Sequence, residues 1–221
     1  LAVNEGTNNL PINVPIWATS GGTWARFRIS TLPDIGPTGG VSNGEVEDYP
    51  LTVTEVGVTT RHYPNESSFT SFAFEDKYPQ LGDFDMNDVL MNLRYTEYIK
   101  DGQVIRIKLE GQVAALGGRY HNGFGIQIPG IDPASIKGDS IAHFVNYVRQ
   151  SNYALEENRI SAVLVASENL WDITQPGESG CRFFRVEEGC GTTSRPNWQM
   201  TVPFRTPVDV NSMPAMPYDP F

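Results

Sequence analysis

Apolar residues recur at every second position along much of the chain, which is the spacing of a strand with one buried face. The alternation is clear from Thr23 to Ile29 and from Tyr49 to Val56. Asp101-Gly102 lies between two later runs and predicts a hairpin turn, because both residues tolerate positive φ. The later runs that predict strands are 89–98, 104–116, 124–128, 160–166 and 183–186.

Helical spacing is scarce, and the best candidate, 134–149, predicts at most a short helix or turn. Many short strands separated by Gly, Pro and Asn predict an all-β fold, an antiparallel, jelly-roll-like β-sandwich. Alternation is lost over 57–68, which predicts a linker between a partial β domain at 1–56 and the sandwich at 69–221. Within the partial domain, Leu10 to Ile16 predicts a strand whose partner lies upstream or in another chain.

The chain has 221 residues, with 26 acidic and 16 basic side chains, a formal net charge of −10 and a pI near 4.7. This balance argues against nucleic acid and against anionic membrane surfaces as partners, because both need an excess of Lys and Arg. No apolar run approaches the roughly 18 residues of a membrane helix, so no membrane insertion is expected. Because the sequence starts at Leu1 and ends at Phe221, we expect a processed or excised segment of a longer protein.

Cys181 and Cys190 are the only cysteines, and a glycine stands next to each. There is no CxxC pair and no histidine nearby, so the spacing favours a disulfide over half of a metal site. A disulfide implies an oxidising, extracytoplasmic location. The alternative is a pair of free thiols in a reduced protein.

The densest polar segment contains five carboxylates and one carboxamide within fourteen residues. Such crowding costs free energy unless a cation neutralises it, and Ca²⁺ accepts irregular sets of oxygen ligands. The spacing imitates the start of an EF-hand loop but departs at its sixth and twelfth positions, Asp88 and Arg94. A loop-type calcium site is predicted, and a solvated acidic turn is the alternative. The candidate ligands are Glu75, Asp76, Asp83, Asp85, Asn87 and Asp88.

A second acidic group, formed by Glu45, Glu47 and Asp48, follows Asn43-Gly44. It is a candidate for a second metal ion. Pairing across strands with Arg26 and Arg28 is the alternative, and it is slightly favoured.

Two strings of residues carry family resemblances. Trp24 to Ser30, followed by Asn43-Gly-Glu-Val-Glu-Asp-Tyr49, resembles the end of a bacterial GEVED domain and covers about residues 10–55. Phe74-Glu-Asp76, Gly82-Asp-Phe-Asp-Met-Asn-Asp88 and Tyr120 to Gly125 together resemble the LruC domain, which covers most of 69–221. Met86 stands where that string more often has a bulkier residue. The resemblances imply an extracellular, mostly β protein of the bacterial surface without established catalytic activity.

Catalytic patterns are weak. The histidines, His62, His121 and His143, form no HExxH or other zinc spacing, and there is no complete GxSxG motif. An acid/base hydrolase would have to pair Glu75 with Glu110 or Glu187, and it is the least favoured alternative.

Aromatic residues provide one further indication of function. Trp171 and Trp198 stand in loop-like stretches and are candidate residues for binding a glycan, whereas core burial is expected for Trp24. His121 lies in a Gly-rich turn and is a candidate ligand-binding residue, and a turn residue satisfied by the backbone is the favoured alternative.

The sequence therefore predicts a non-enzymatic, calcium-stabilised extracellular β module that acts in adhesion or as a filament subunit. Its expected partners are neighbouring domains or subunits of a surface assembly. A carbohydrate-binding module is the alternative.

Overall fold

A computed structural model of the chain describes residues 2–15, 18, 20–77, 79–83, 85–151, 154–174, 180–191 and 194–221. The fold is all-β as predicted, with 44% of residues in strands and 5% in helix. The chain forms two compact units, the first ending at Val56 and the second beginning at Gly57. Among the described residues, no helix is long and apolar enough to span a membrane.

The first unit contains one antiparallel hairpin, formed by β1 (Gly21–Ile29) and β2 (Glu45–Val53). Gly44 precedes β2 at a φ of +113°, where a Cβ would overlap the carbonyl oxygen of Ile29. Both faces of the hairpin are open, and Trp24 is 69% exposed, so the expectation that it belongs to a core is wrong. A lone two-stranded sheet has too few neighbours to bury that ring.

The segment before this hairpin has no strand partner among the described residues. Leu10, Ile12 and Val14 point their alternating apolar side chains to solvent, with exposures of 36%, 66% and 62%. Ile16, the last residue of the predicted strand, lies outside the described residues.

In the described part of the second unit there are ten strands, one helical turn and two short 3-10 turns. The strands of its first half are β3 (Val58–Tyr63), β4 (Thr70–Phe74), β5 (Val89–Lys100), β6 (Gln103–Ala115) and β7 (Phe124–Ile128). The 3-10 turns Pro133–Ser135 and Gly138–Ser140 follow. The remaining elements are β8 (Ala142–Val145), β9 (Val148–Arg149), β10 (Ala162–Ser167), α1 (Leu170–Ile173), β11 (Asn197–Asp209) and β12 (Asp219–Pro220).

These strands form two antiparallel sheets. The larger one has the order β3-β5-β6-β11-β8-β9, and β4 pairs with β5 beyond the end of β3. The smaller one has the order β10-β7-β12. Side chains from both sheets join one buried apolar cluster, so the core lies between them. The indole of Trp198 is at its centre, lying so close to Gly111 on β6 that a Cβ there would overlap the ring.

A buried carboxylate joins β3, β5 and the segment before β12. The side chain of Glu97 is fully buried and pairs through Oε2 with the guanidinium of Arg61. The Tyr218 hydroxyl donates to Glu97 Oε1 at 2.8 Å, and the Tyr218 ring stacks on Tyr95 with centroids 5.6 Å apart. Burial, together with the charge of Glu97, raises the pKa of Tyr218, so the phenol remains a donor.

Four predictions about elements need correction. Residues 57–68, predicted as a linker, contain β3, because His62 and Tyr63 pair with Thr96 and Tyr95 although the local pattern is polar. The region 134–149, predicted to hold at most a short helix or turn, contains the two 3-10 turns but also the strand β8 over 142–145. The run 183–186 supplies only an isolated bridge between Phe184 and Leu116. β11, a central strand, was not predicted, because it contains two prolines.

Candidate metal centre

The acidic loop, which we define as residues 75–88, connects β4 to β5. The pairing of Phe74 with Val89 closes this hairpin, so the two ends of the loop are held at the same place in the sheet. Met86 has a φ of +54°, and the backbone there turns back toward the start of the loop. Its amide donates to Glu75 Oε2 at 3.2 Å.

The loop brings the five predicted carboxylates together in two overlapping groups. Glu75, Asp76 and Asp88 form one group, and Glu75, Asp83 and Asp85 form the other. In each group one carboxylate oxygen from every member lies within 4.8 Å of the others. Glu75 belongs to both groups, so a single cation beside it would be within reach of ligands from both ends of the loop.

Asn87, the sixth predicted ligand, faces a different direction. Its amide nitrogen donates to Asp85 Oδ2, and its amide oxygen faces Gly117, just after β6. Asn87 therefore positions Asp85 and anchors the loop beside Gly117.

Glycines let the chain approach these oxygens closely. The Gly117 amide donates to the Asn87 carbonyl at 2.9 Å. A Cβ on Gly118 would lie 2.8 Å from Asp88 Oδ1 and 3.0 Å from Asp76 Oδ2, and one on Gly82 would lie 2.8 Å from Glu75 Oε1. Our sequence reasoning missed Gly117 and Gly118, although two adjacent glycines directly after a strand indicate a close backbone approach.

The electrostatics of the cluster disfavour its fully ionised form. Desolvation is the largest cause that raises the pKa of Glu75; Asp88 and Asp83 raise it further, and the hydrogen bond from the Met86 amide opposes the shift. Desolvation and the charge of Asp88 likewise raise the pKa of Asp76. Among the described residues, no Lys or Arg forms an ion pair with these carboxylates. A proton or a metal cation is therefore the species that would neutralise them.

The raised pKa of Asp76 predicts a pH-dependent effect of Asp76→Asn. In metal-stripped buffer at pH 7 the variant should melt above the wild type, because it lacks the repulsion. This advantage should shrink as the pH falls toward about 4, since the folded wild type takes up its proton before the unfolded chain does. Melting curves of both proteins between pH 7 and 5 test this. A difference that stays constant or grows on acidification would contradict it.

The second acidic group does not converge. Asp48 accepts two hydrogen bonds from Arg26, at 2.8 and 2.7 Å, across the β1–β2 pair. Arg28 donates to backbone carbonyls, including Thr38 at 2.8 Å. Glu45 and Glu47 point to the face opposite Asp48, because side chains alternate along a strand. The geometry therefore assembles no second ion site and supports cross-strand pairing for Asp48.

The predicted disulfide between Cys181 and Cys190 is confirmed. Glu187 lies inside the loop that it closes, and its Oε2 accepts from the amides of Arg182 and Phe183 at 2.6 and 3.1 Å. Phe184 exchanges two backbone hydrogen bonds with Leu116, at 2.9 and 3.0 Å. The disulfide loop is thereby fixed one residue before Gly117. Such a bond is typical of oxidising compartments.

The three candidate ligand-binding residues lie in different environments. Trp198 is 1% exposed, so its assignment to an exposed loop is wrong: it lies on the inner face of β11. Trp171 is half-buried, and its indole N–H donates to the Tyr120 carbonyl at 3.2 Å. His121 is exposed, with Nδ1 3.1 Å from Asn169 Nδ2. The structure therefore brings His121 and Trp171 into neighbouring turns and leaves Trp198 in the core.

Comparison with known proteins gives two family matches. Residues 1–52 match the GEVED domain, which confirms the first resemblance. Residues 102–221 match a domain of unknown function, DUF4842, so the second part of the chain is matched under a description other than LruC. No curated protein and no solved structure matches the chain. Because the DUF4842 match covers more than half of the 221 residues, the chain belongs to the DUF4842 family.

Proposed function

We propose that the chain is a non-enzymatic, calcium-stabilised β module of a bacterial surface protein. The observation that carries this proposal is the convergence of four carboxylates on that of Glu75, with no ion pair to a Lys or Arg among the described residues. An acidic cluster of this kind lowers the free energy of the fold only when a cation is bound to it. The ion would tie the start of β5 to the end of β4.

Calcium suits the site better than other common cations. The ligands are all oxygens, which excludes metals that prefer sulfur and nitrogen. Ca²⁺ takes six to eight oxygens in flexible geometry, whereas Mg²⁺ demands a near-ideal octahedron. A fourteen-residue loop that offers carboxylates from irregular positions matches the flexible requirement.

The two carboxylates proposed as partners of Glu75 in a hydrolase are both engaged in structural contacts. Burial alone would raise the pKa of Glu110, but hydrogen bonds from Arg94 and Lys108 lower it overall, and these two cations hold its carboxylate in place. Glu187 is engaged with the backbone of its own loop. These contacts support a structural role for both residues.

The location, the family identity of the second part of the chain and the partners are the finer parts of this proposal. A disulfide and a GEVED segment support an extracellular location at the bacterial surface. We propose LruC as the finer identity of residues 69–221, based on the strings around the acidic loop. The open hairpin of the first unit and the unpaired Leu10–Val14 segment support neighbouring domains or subunits as partners, in adhesion or in a filament.

Calcium is expected to raise the melting temperature in proportion to the logarithm of its concentration. At a hundredfold excess over Kd the ion should contribute about 2.7 kcal/mol. For a unit of this size that corresponds to about 5–10 °C. Thermal melts of the full chain in Ca²⁺ and in EGTA measure the shift.

Two variants make this test specific. Asp88→Asn should abolish most of the calcium-dependent shift, because it removes a member of the first group. Asp101→Asn removes the same charge from an exposed turn at the opposite end of β5 and should keep the full shift. A wild-type protein with equal melting temperatures in Ca²⁺ and EGTA would rule out the calcium assignment.

A further inference from the structure

The turn that follows Gly117 and Gly118 is fixed against α1. The Leu170 amide donates to the Asn122 carbonyl at 2.9 Å, and the Trp171 indole donates to the Tyr120 carbonyl at 3.2 Å. A Cβ on Gly123 would lie 3.0 Å from the carbonyl oxygens of residues 167 and 168, so the two segments are closely packed. The backbone of Tyr120 is thus held in place, while its side chain is left 58% exposed.

Asn169 organises the polar groups of these two segments. Its amide oxygen accepts from the Trp171 backbone N–H at 3.1 Å. Its amide nitrogen donates to Asp172 Oδ1 at 2.8 Å and lies 3.1 Å from His121 Nδ1. Because an amide nitrogen can only donate, His121 Nδ1 is the acceptor, and the neutral imidazole carries its proton on Nε2.

One donor and one acceptor therefore remain available in the same pair of segments that exposes the Tyr120 side chain. They are the Nε2–H group of His121 and Oδ2 of Asp172, which have no partner among the described residues. We call Tyr120, His121, Asn169, Trp171 and Asp172 the turn patch. Its hydrogen-bonding groups are already oriented before any ligand arrives, which reduces the entropy lost on binding.

We propose that the turn patch binds a neutral saccharide. Sugar hydroxyls both donate and accept, which matches His121 Nε2–H and Asp172 Oδ2, and the apolar C–H face of a pyranose can stack on the Tyr120 ring. The carboxylate of Asp172 and the net charge of −10 disfavour anionic ligands. Trp171 acts as a positioning residue for Tyr120. The inference rests on the proposed adhesive function and names the partner class.

The test uses the full chain on an array of oligosaccharides ending in glucose, galactose, mannose or N-acetylglucosamine, with sialylated and sulfated glycans alongside. The best-bound neutral oligosaccharide is then titrated calorimetrically. Tyr120→Ala should weaken its binding at least about tenfold. Asp172→Asn should weaken it about tenfold, because the amide keeps the bond to Asn169 but replaces the free acceptor with a donor.

Tyr147→Ala is the matched control, since Tyr147 is another turn tyrosine, 85% exposed, and should bind like the wild type. The proposal is overturned if no neutral glycan binds, if only anionic glycans bind, or if Tyr120→Ala binds normally. Calcium-dependent melting of the same variants separates the two proposals. A calcium shift without glycan binding rejects only the saccharide site, and glycan binding without a calcium shift rejects only the metal site.

Discussion

Replacing Trp198 with alanine is expected to lower the free energy of unfolding by about 3–5 kcal/mol, the usual cost of truncating a large buried aromatic side chain. The ring is 1% exposed and contacts Phe124 of the opposite sheet, with centroids 5.9 Å apart, so the cavity would open between the two sheets. For a unit of this size the melting temperature should fall by about 6–20 °C. Thermal or urea unfolding of the wild type and the variant measures this.

Gly111→Ala gives the matched test of the same contact. In the wild-type background the new methyl group overlaps the indole and should destabilise the protein by about 1–3 kcal/mol. Combined with Trp198→Ala it should cost much less, because the space is then empty, and the double-mutant cycle isolates this coupling. A Trp198→Ala protein that melts within about 2 °C of the wild type would mean that the indole lies outside the core.

The second large effect is expected at Glu97. Arg61→Met leaves a fully buried carboxylate without its cation, and breaking such a pair from one side costs about 3–5 kcal/mol. Arg61 is itself 44% exposed, so we expect a value near the lower end of that range. Denaturant unfolding at pH 7 measures the loss.

The companion variant is Arg61→Met combined with Glu97→Gln. The uncharged amide can still accept from the Tyr218 hydroxyl, so the double variant should recover most of the stability that Arg61→Met loses. Equal stability of the single and double variants would show that an uncompensated charge is not the cause of the loss.

The sequence pattern correctly predicted the strands that are determined by residues close to one another in the sequence. The Asp101-Gly102 turn has φ values of +51° and +76°, the left-handed conformation for which those residue types are suited. The long runs on either side of it form β5 and β6. Here alternation and turn chemistry agree, and no distant contact is needed to decide the structure.

β11 was missed because its local signals are misleading. Pro203 and Pro207 lie within it, and Pro196 directly precedes it. The structure tolerates them because the ladder with β6 is interrupted between Pro203 and Val208, where the missing N–H groups are not needed. Trp198 was assigned to a loop for the same reason, although its pairing with Gly111 places it in the core.

The carboxylates of the candidate metal centre could be predicted from the sequence, but the glycines that pack against them could not. Crowding of like charges pointed to the carboxylates from Glu75 to Asp88, because that argument needs only residues close in sequence. Gly117 and Gly118 lie about thirty residues away, and they meet the acidic loop only because Leu90 pairs with Ala115. The turn patch was missed in part for the same reason, since Tyr120 and Asn169 come together through tertiary contacts.

The Asp101-Gly102 turn lies at the end of the β5–β6 hairpin opposite the acidic loop. If the strand pairs of this hairpin form in order from its turn, the pairing of Leu90 with Ala115 forms last, and only then does Gly117 contact Asn87. Contacts that form after the folding transition state change the unfolding rate and leave the folding rate nearly unaltered. A cation whose ligands are held in place by the contacts of Gly117 and Gly118 would therefore slow the unfolding of the module and leave its folding rate nearly unchanged.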